Sequence, residues 1–216
     1  MSKLSITPAF AVPMGSAHWE RANEINSDLI TIFKRLKSEG FEESGVATTR
    51  VNIFESSFDL FRRKEESIQH LKKFCLTNIM LMVGATTGKS NDELQKLTIS
   101  NHAWFHITSK GGYIGYHNHP NASWSAVYYV DVGGEAASYS ESGRIRFFNP
   151  NSGNHMFGDA GNTNFIAPFH QGTLAVEPKA GDLIIFPSYL MHDVAPYMGE
   201  GERICVAMNC WFSHNS

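Results

Sequence analysis

From Asn101 onward the chain is a series of short β-type runs separated by Gly, Pro, Asn and Ser, with no helical pattern between them. The runs lie near Ala103 to Thr108, Tyr113 to His119, Ser123 to Val132, Gly143 to Phe148, Gly172 to Val176, Asp182 to Phe186, His192 to Ala195 and Arg203 to Phe212. Strands this short and this closely spaced cannot be joined by crossover helices, so they must close on one another as a sandwich or barrel.

The stretch ahead of them has a different period. Ile25, Leu29, Ile32, Phe33 and Leu36 recur at helical spacing, with Gly40 as a stop, and residues 4–15 look extended. An alternating run from Val46 to Phe54 predicts a strand. Leu60, Ile68, Leu71, Phe74, Cys75, Ile79 and Met82 then predict one longer helix whose outer face carries the mixed charges from Arg62 to Lys73. Ser90 and Glu93 have the spacing of a capping box for a third helix. The preceding G-A-T-T-G-K-S falls one residue short of the Walker spacing and is not a phosphate loop. For 216 residues one domain is expected, with 1–100 a helical buttress with N-terminal strands and 101–216 a β core that carries the functional site.

A net charge of -3 gives no case for nucleic acid or an anionic membrane surface. The opening M-S-K-L-S-I-T-P lacks an unbroken apolar core for a leader, and no later run can span a bilayer, so a cytoplasmic protein is expected. Cys75, Cys205 and Cys210 lack C-x-x-C spacing and read as buried free thiols, which argues against a cysteine zinc site.

Chemistry enters with histidine. Alternation along a strand puts His117 and His119 on one face, and the apolar run from Gly181 ends by presenting His192. Arg203, Cys205, Ala207 and Asn209 share one face of the last strand, so a fixed cation can join the three imidazoles. Imidazole suits Fe, Zn, Cu and Ni. His18, His70, His102, His155, His170 and His214 have no such arrangement and read as structural. Of Tyr128 and Tyr129, on opposite faces, one is core; Trp104 and Trp124 read first as core as well. The Gly- and Asn-rich segment from Pro150 to Gln171 has the length of a functional loop, such as a lid over a metal.

Five segments together, G-Y-I-G-Y-H-N-H-P-N, S-A-V-Y-Y-V, G-R-I-R-F-F-N-P, G-D-L-I-I-F-P-S-Y-L-M-H-D-V and E-R-I-C-V-A-M-N-C-W-F, resemble the Fe(II)- and 2-oxoglutarate-dependent dioxygenases. The likeness is to the prolyl-hydroxylase-like branch, and within it to a subgroup with a His-x-His-Pro-Asn motif. It implies a mainly β fold with flanking α-helices, a double-stranded β-helix (jelly roll, cupin-like). It also implies Fe(II), 2-oxoglutarate and O2 as cofactor and cosubstrates, with succinate and CO2 released as a C–H bond is hydroxylated. His117 and His192 match metal ligands. Arg203 matches the cation on the far carboxylate of 2-oxoglutarate, and Tyr129 the hydroxyl beside it; Asn209 shares that face.

One position departs from the family pattern. His119 stands where the usual His-x-Asp has its carboxylate, so either the site has three histidines or another acid, such as Asp131, Glu141 or Asp159, reaches it. Asp193 points away from His192 on a regular strand. The departure supports a second reading, a three-histidine cupin-like dioxygenase that does not use 2-oxoglutarate; a third is a non-catalytic jelly-roll binding protein. Arg203 counts against the second, because a buried cation needs an anionic partner. The expected partner is a small-molecule or peptidyl substrate.

Overall fold

The structure, a computed structural model, describes residues 3–44, 49–151 and 157–214. Its elements in chain order are β1 (Gly15–His18), α1 (Ala22–Ser38), β2 (Arg50–Glu55), a 3-10 turn (Leu60–Arg62), α2 (Glu66–Thr87), α3 (Asn91–Leu94), β3 (Leu97–His117), β4 (Trp124–Asp131), β5 (Ile145–Phe148), β6 (Thr173–Val176), β7 (Asp182–Pro187), β8 (His192–Val194) and β9 (Arg203–His214). Strand neighbours follow the order β1-β7-β4-β9-β3-β8-β5-β6, with β2 added to β3. The antiparallel sheet curls into the half-barrel of a jelly roll, the fold expected from the short strands.

The element that shapes the barrel is β3. Its first part, from Leu97 to Thr108, pairs with β9, and its last part, from Ile114 to His117, pairs with β8. Two separate strands were expected over this stretch; one strand turns instead at Gly111 and Gly112. Gly111 has φ +81°, and a Cβ on Gly112 would come within 2.7 Å of the Asn52 carbonyl oxygen, so only glycine fits both the turn and the close approach. Tyr197 holds the corner by exchanging backbone hydrogen bonds with it, Gly111 N to Tyr197 O and Tyr197 N to Gly112 O. One strand thereby serves both walls of the barrel.

Alternation then sorts side chains between two cores. The outer one joins Leu29, Phe33 and Leu36 of α1 and Leu71, Cys75 and Ile79 of α2 to Phe105, Tyr128, Val206 and Met208 of the sheet. The inner one holds Tyr129, Phe147, Phe186, Val194 and Cys205. Phe33 stacks on Phe105 at 4.3 Å between ring centroids. Asn26 is the one polar group of α1 in this interface; it donates to Val130 O at 2.9 Å and accepts from Tyr128 Oη at 2.8 Å, which satisfies it at the helix–sheet seam. Tyr128 is therefore the core tyrosine and Tyr129 the interior one.

Some expected boundaries move. The second helix starts at Glu66 rather than near Leu60, because Arg63 is extended and side chains take the preceding carbonyls: Lys72 Nζ donates to Phe61 O at 3.2 Å, and Gln69 Nε2 donates to Arg63 O. The third helix has the full capping box of Ser90 and Glu93 but stops after one turn, since β3 begins at Leu97. The strand expected from Val46 begins at Arg50 among the described residues; residues 46–48 lie outside them. The last extended residue of the 4–15 stretch, Gly15, begins β1, which runs on to His18 and pairs with β7. The rejected G-A-T-T-G-K-S run is the last turn of α2 and its left-handed cap at Gly88. Of the long segment between β5 and β6, residues 157–171 are mostly exposed turns and coil; residues 152–156, His155 among them, lie outside the described residues. Among the described residues no helix is long and apolar enough to cross a membrane.

Candidate active site

His117 ends β3 and pairs across the ladder with His192, which begins β8. His119 lies just past the strand end, where its backbone N donates to Ser188 O at 2.9 Å. One ring nitrogen from each of the three lies within 4.8 Å of the others, the span of donors around one ion. No carboxylate joins this cluster among the described residues. Asp193 faces the other way and forms a two-bond ion pair with Arg146 at 2.8 and 2.7 Å, Asp131 accepts from Gly133 N, Glu141 pairs with Arg144, and Asp159 is spent in its own turn.

Two of the imidazoles are oriented by the backbone. His117 Nδ1 donates to Gly115 O at 2.7 Å and His192 Nδ1 to Leu190 O at 2.8 Å, which leaves each Nε2 as the bare donor. Burial, followed by repulsion from His117, pushes His192 down to about 3 and His119 down to about 4; burial also lowers His117. All three are therefore neutral at neutral pH, the state that binds a metal without first losing a proton. Phe186 and Phe147 pack on His192 at 4.8 and 5.8 Å between centroids, and Trp104 stands edge-on to His119 at 6.2 Å.

On the other part of β3 the interior contains a second polar group. Arg203 is 3% exposed and pairs in register with Thr108. Among the described residues no carboxylate is paired with it; its Nη1 reaches the Cys205 Sγ at 3.6 Å, and its guanidinium lies 5.1 Å from the centre of the Tyr129 ring. The hydroxyls of Tyr129 and Thr108 are buried with no hydrogen-bond partner. A buried guanidinium with no carboxylate partner, beside two unpartnered hydroxyls, leaves donors for an anion, since buried polar groups are otherwise satisfied. Thr108 is a residue that sequence reasoning missed; its only signal was its place on the same face of the strand as Trp104 and His106.

Asn209 is engaged elsewhere. Its Oδ1 accepts from Ser125 Oγ at 2.7 Å, and Ser125 Oγ lies 2.8 Å from Ser188 Oγ, so the side chain braces the turn whose carbonyl holds His119. His106 was also missed: it is buried on the inward face of β3, 2.6 Å from Glu55 Oε2 and 3.1 Å from Trp104 Nε1.

A family model described as "Putative 2OG-Fe(II) oxygenase" matches residues 102–209. No curated protein matches the sequence. Among solved structures, a prolyl-4-hydroxylase from Pseudomonas putida is similar with a TM-score of 0.62 at 19% identity, covering 95% of this chain and 94% of that one. A prolyl hydroxylase from Trichoplax adhaerens, in complex with a peptide fragment of the hypoxia inducible factor oxygen degradation domain, has a TM-score of 0.62 at 14% identity, with 92% and 83% covered. HygX from Streptomyces hygroscopicus, with nickel, 2-oxoglutarate and hygromycin B bound, has a TM-score of 0.55 at 12% identity, with 93% and 83% covered.

Proposed function

The chain belongs to the 2OG-Fe(II) oxygenase family, and on that premise we propose that His117, His119 and His192 hold Fe(II) while Arg203 fixes the far carboxylate of 2-oxoglutarate. The enzyme is an oxidoreductase using Fe(II) and 2-oxoglutarate. The observation that carries the assignment of residues is the pairing of three converging neutral imidazoles with a buried guanidinium that, among the described residues, no carboxylate pairs with. The donor set fits the metal, and the unpartnered Tyr129 and Thr108 hydroxyls fit a carboxylate at Arg203.

When bound, the iron supplies O2 activation coupled to oxidative decarboxylation of 2-oxoglutarate, and the protein supplies position. His117 and His192 present fixed Nε2 atoms because their Nδ1 protons are committed to backbone carbonyls. Arg203 draws the 2-oxo acid in by charge and orients it by its fork, with Tyr129 and Thr108 donating to the same carboxylate. Phe147, Phe186 and Trp104 keep water from the imidazoles. His119 replaces a carboxylate with a neutral donor, so the metal position carries one negative charge less than the His-x-Asp pattern gives. Asn209 acts through Ser125 and Ser188 as a brace. The reaction is hydroxylation of a C–H bond on a small molecule or a peptidyl side chain; the similar structures from S. hygroscopicus and T. adhaerens hold hygromycin B and a peptide fragment.

The test is an anaerobic optical titration with Fe(II) and then 2-oxoglutarate. A weak visible charge-transfer band that saturates with the 2-oxo acid is expected. Iron binding with no band would replace this reading by the three-histidine dioxygenase that does not use 2-oxoglutarate.

A further inference from the structure

Cys205 is 4% exposed on the inner face of β9, and its sulfur lies at hydrogen-bond distance from Nη1 of Arg203, 3.6 Å. The groups that face this thiol come from every surrounding strand. Arg203 lies on its own strand; His106, directly opposite on β3, is tied to Glu55 of β2, which pairs with Arg50; Tyr129 is opposite on β4. The thiol thus sits between a guanidinium and an imidazole on the buried inner face of the sheet.

We propose that Cys205 is the resident counter-ion of Arg203, displaced from that role by the far carboxylate of 2-oxoglutarate, so that the cosubstrate binds with uptake of one proton by the sulfur. The inference rests on the reading of Arg203 as the carboxylate anchor. Its physical basis is that two anions cannot share one buried cation without raising the proton affinity of the weaker acid. Burial by itself would push the thiol up, but Arg203 and then His106 outweigh it and hold Cys205 below the ordinary thiol value. Cys75 and Cys210, buried without a cation, are pushed up instead. The step is a protonation alone: solvent gives the proton, and no bond to sulfur other than S–H forms.

The experiment is an anaerobic 2-oxoglutarate titration of the Fe(II)-loaded protein between mildly acidic and alkaline pH. It is paired with calorimetry in two buffers of different ionisation enthalpy to count protons. In the wild type, affinity should weaken by about tenfold per pH unit once the thiol is ionised, with proton uptake rising towards one. Cys205→Ser should bind more tightly at alkaline pH and take up no proton. Equal pH slopes in the two proteins, or no uptake by the wild type, would overturn the proposal. Should Cys205→Ser not fold, the wild-type proton count decides alone. Arg203→Ala separates the underlying reading: if it keeps full 2-oxoglutarate affinity, the anchor assignment fails, whatever Cys205 does.

Discussion

Tyr129 and Thr108 each bury a hydroxyl that bonds to nothing, and an unmet donor or acceptor of this kind costs about 1–3 kcal/mol. Removing it should therefore have opposite effects on stability and on binding. Tyr129→Phe is expected to leave the metal-free protein as stable as the wild type or more so, by up to about 1 kcal/mol, while weakening 2-oxoglutarate by roughly five- to tenfold, the worth of one charge-assisted bond. Denaturant melts and cosubstrate titrations read the two effects separately; a loss in both would mean that the hydroxyl serves the fold. The histidines make a second prediction. An unfolded imidazole takes its proton near 6.5, whereas folded His192 and His119 take theirs at about 3 and about 4. Between those values the unfolded chain binds more protons, so the stability of the metal-free protein should fall as pH drops from 6.5 towards 4. His192→Phe should flatten that fall in a pH series of urea melts. The three histidines were legible from their spacing, although His119 lies just past the end of β3 and is held by its backbone bond to Ser188 O rather than by strand alternation. Thr108 and His106 were not, since nothing in a single strand tells which of its inward positions will face an unpaired cation across the ladder.

The strands of the β core were legible as elements, and what escaped was where one strand ends. Tyr113 to His119 read as a strand of its own because Gly111 and Gly112 interrupt the run, yet they are a corner inside β3, held by backbone bonds to Tyr197. That corner sends the strand from β9 to β8 and so carries Thr108 to Arg203 and His117 to His192. The helices were found by their period, and the start of α2 was missed because the residues just before it give their carbonyls to side chains. At this scale the helix–sheet seam makes the clearest prediction. Phe33 is fully buried and stacked on Phe105, so Phe33→Ala should cost about 3–5 kcal/mol in equilibrium unfolding. Because it lies in the outer core, on the far side of the sheet from the histidines, the folded fraction should keep its Fe(II) affinity. A loss of iron binding at full foldedness would mean that the buttress sets the spacing of the metal ligands.

For the molecule as a whole, the two ends of the cosubstrate would be held by different walls of one barrel. The proposed anchor at Arg203, Tyr129 and Thr108 belongs to the sheet formed by β4, β9 and the first part of β3, and the proposed metal position to the last part of β3 with β8. A 2-oxo acid bound to both ties the walls together and stabilises the fold by mass action. At a cosubstrate concentration of about 100 times Kd this is worth about 2.7 kcal/mol. In a chain of this length that corresponds to a rise in Tm of about 5–10 °C. The rise should need iron, since without it only the Arg203 end is held. Thermal melts of three proteins under anaerobic conditions therefore discriminate: the wild type should respond to Fe(II) and again to 2-oxoglutarate, Arg203→Ala to Fe(II) alone, and His192→Ala to neither. A 2-oxoglutarate shift of equal size with and without iron would place the whole ligand at the guanidinium and detach it from the histidines. Both parts of β3 would then serve separate sites, and the single-pocket account of the barrel would fail.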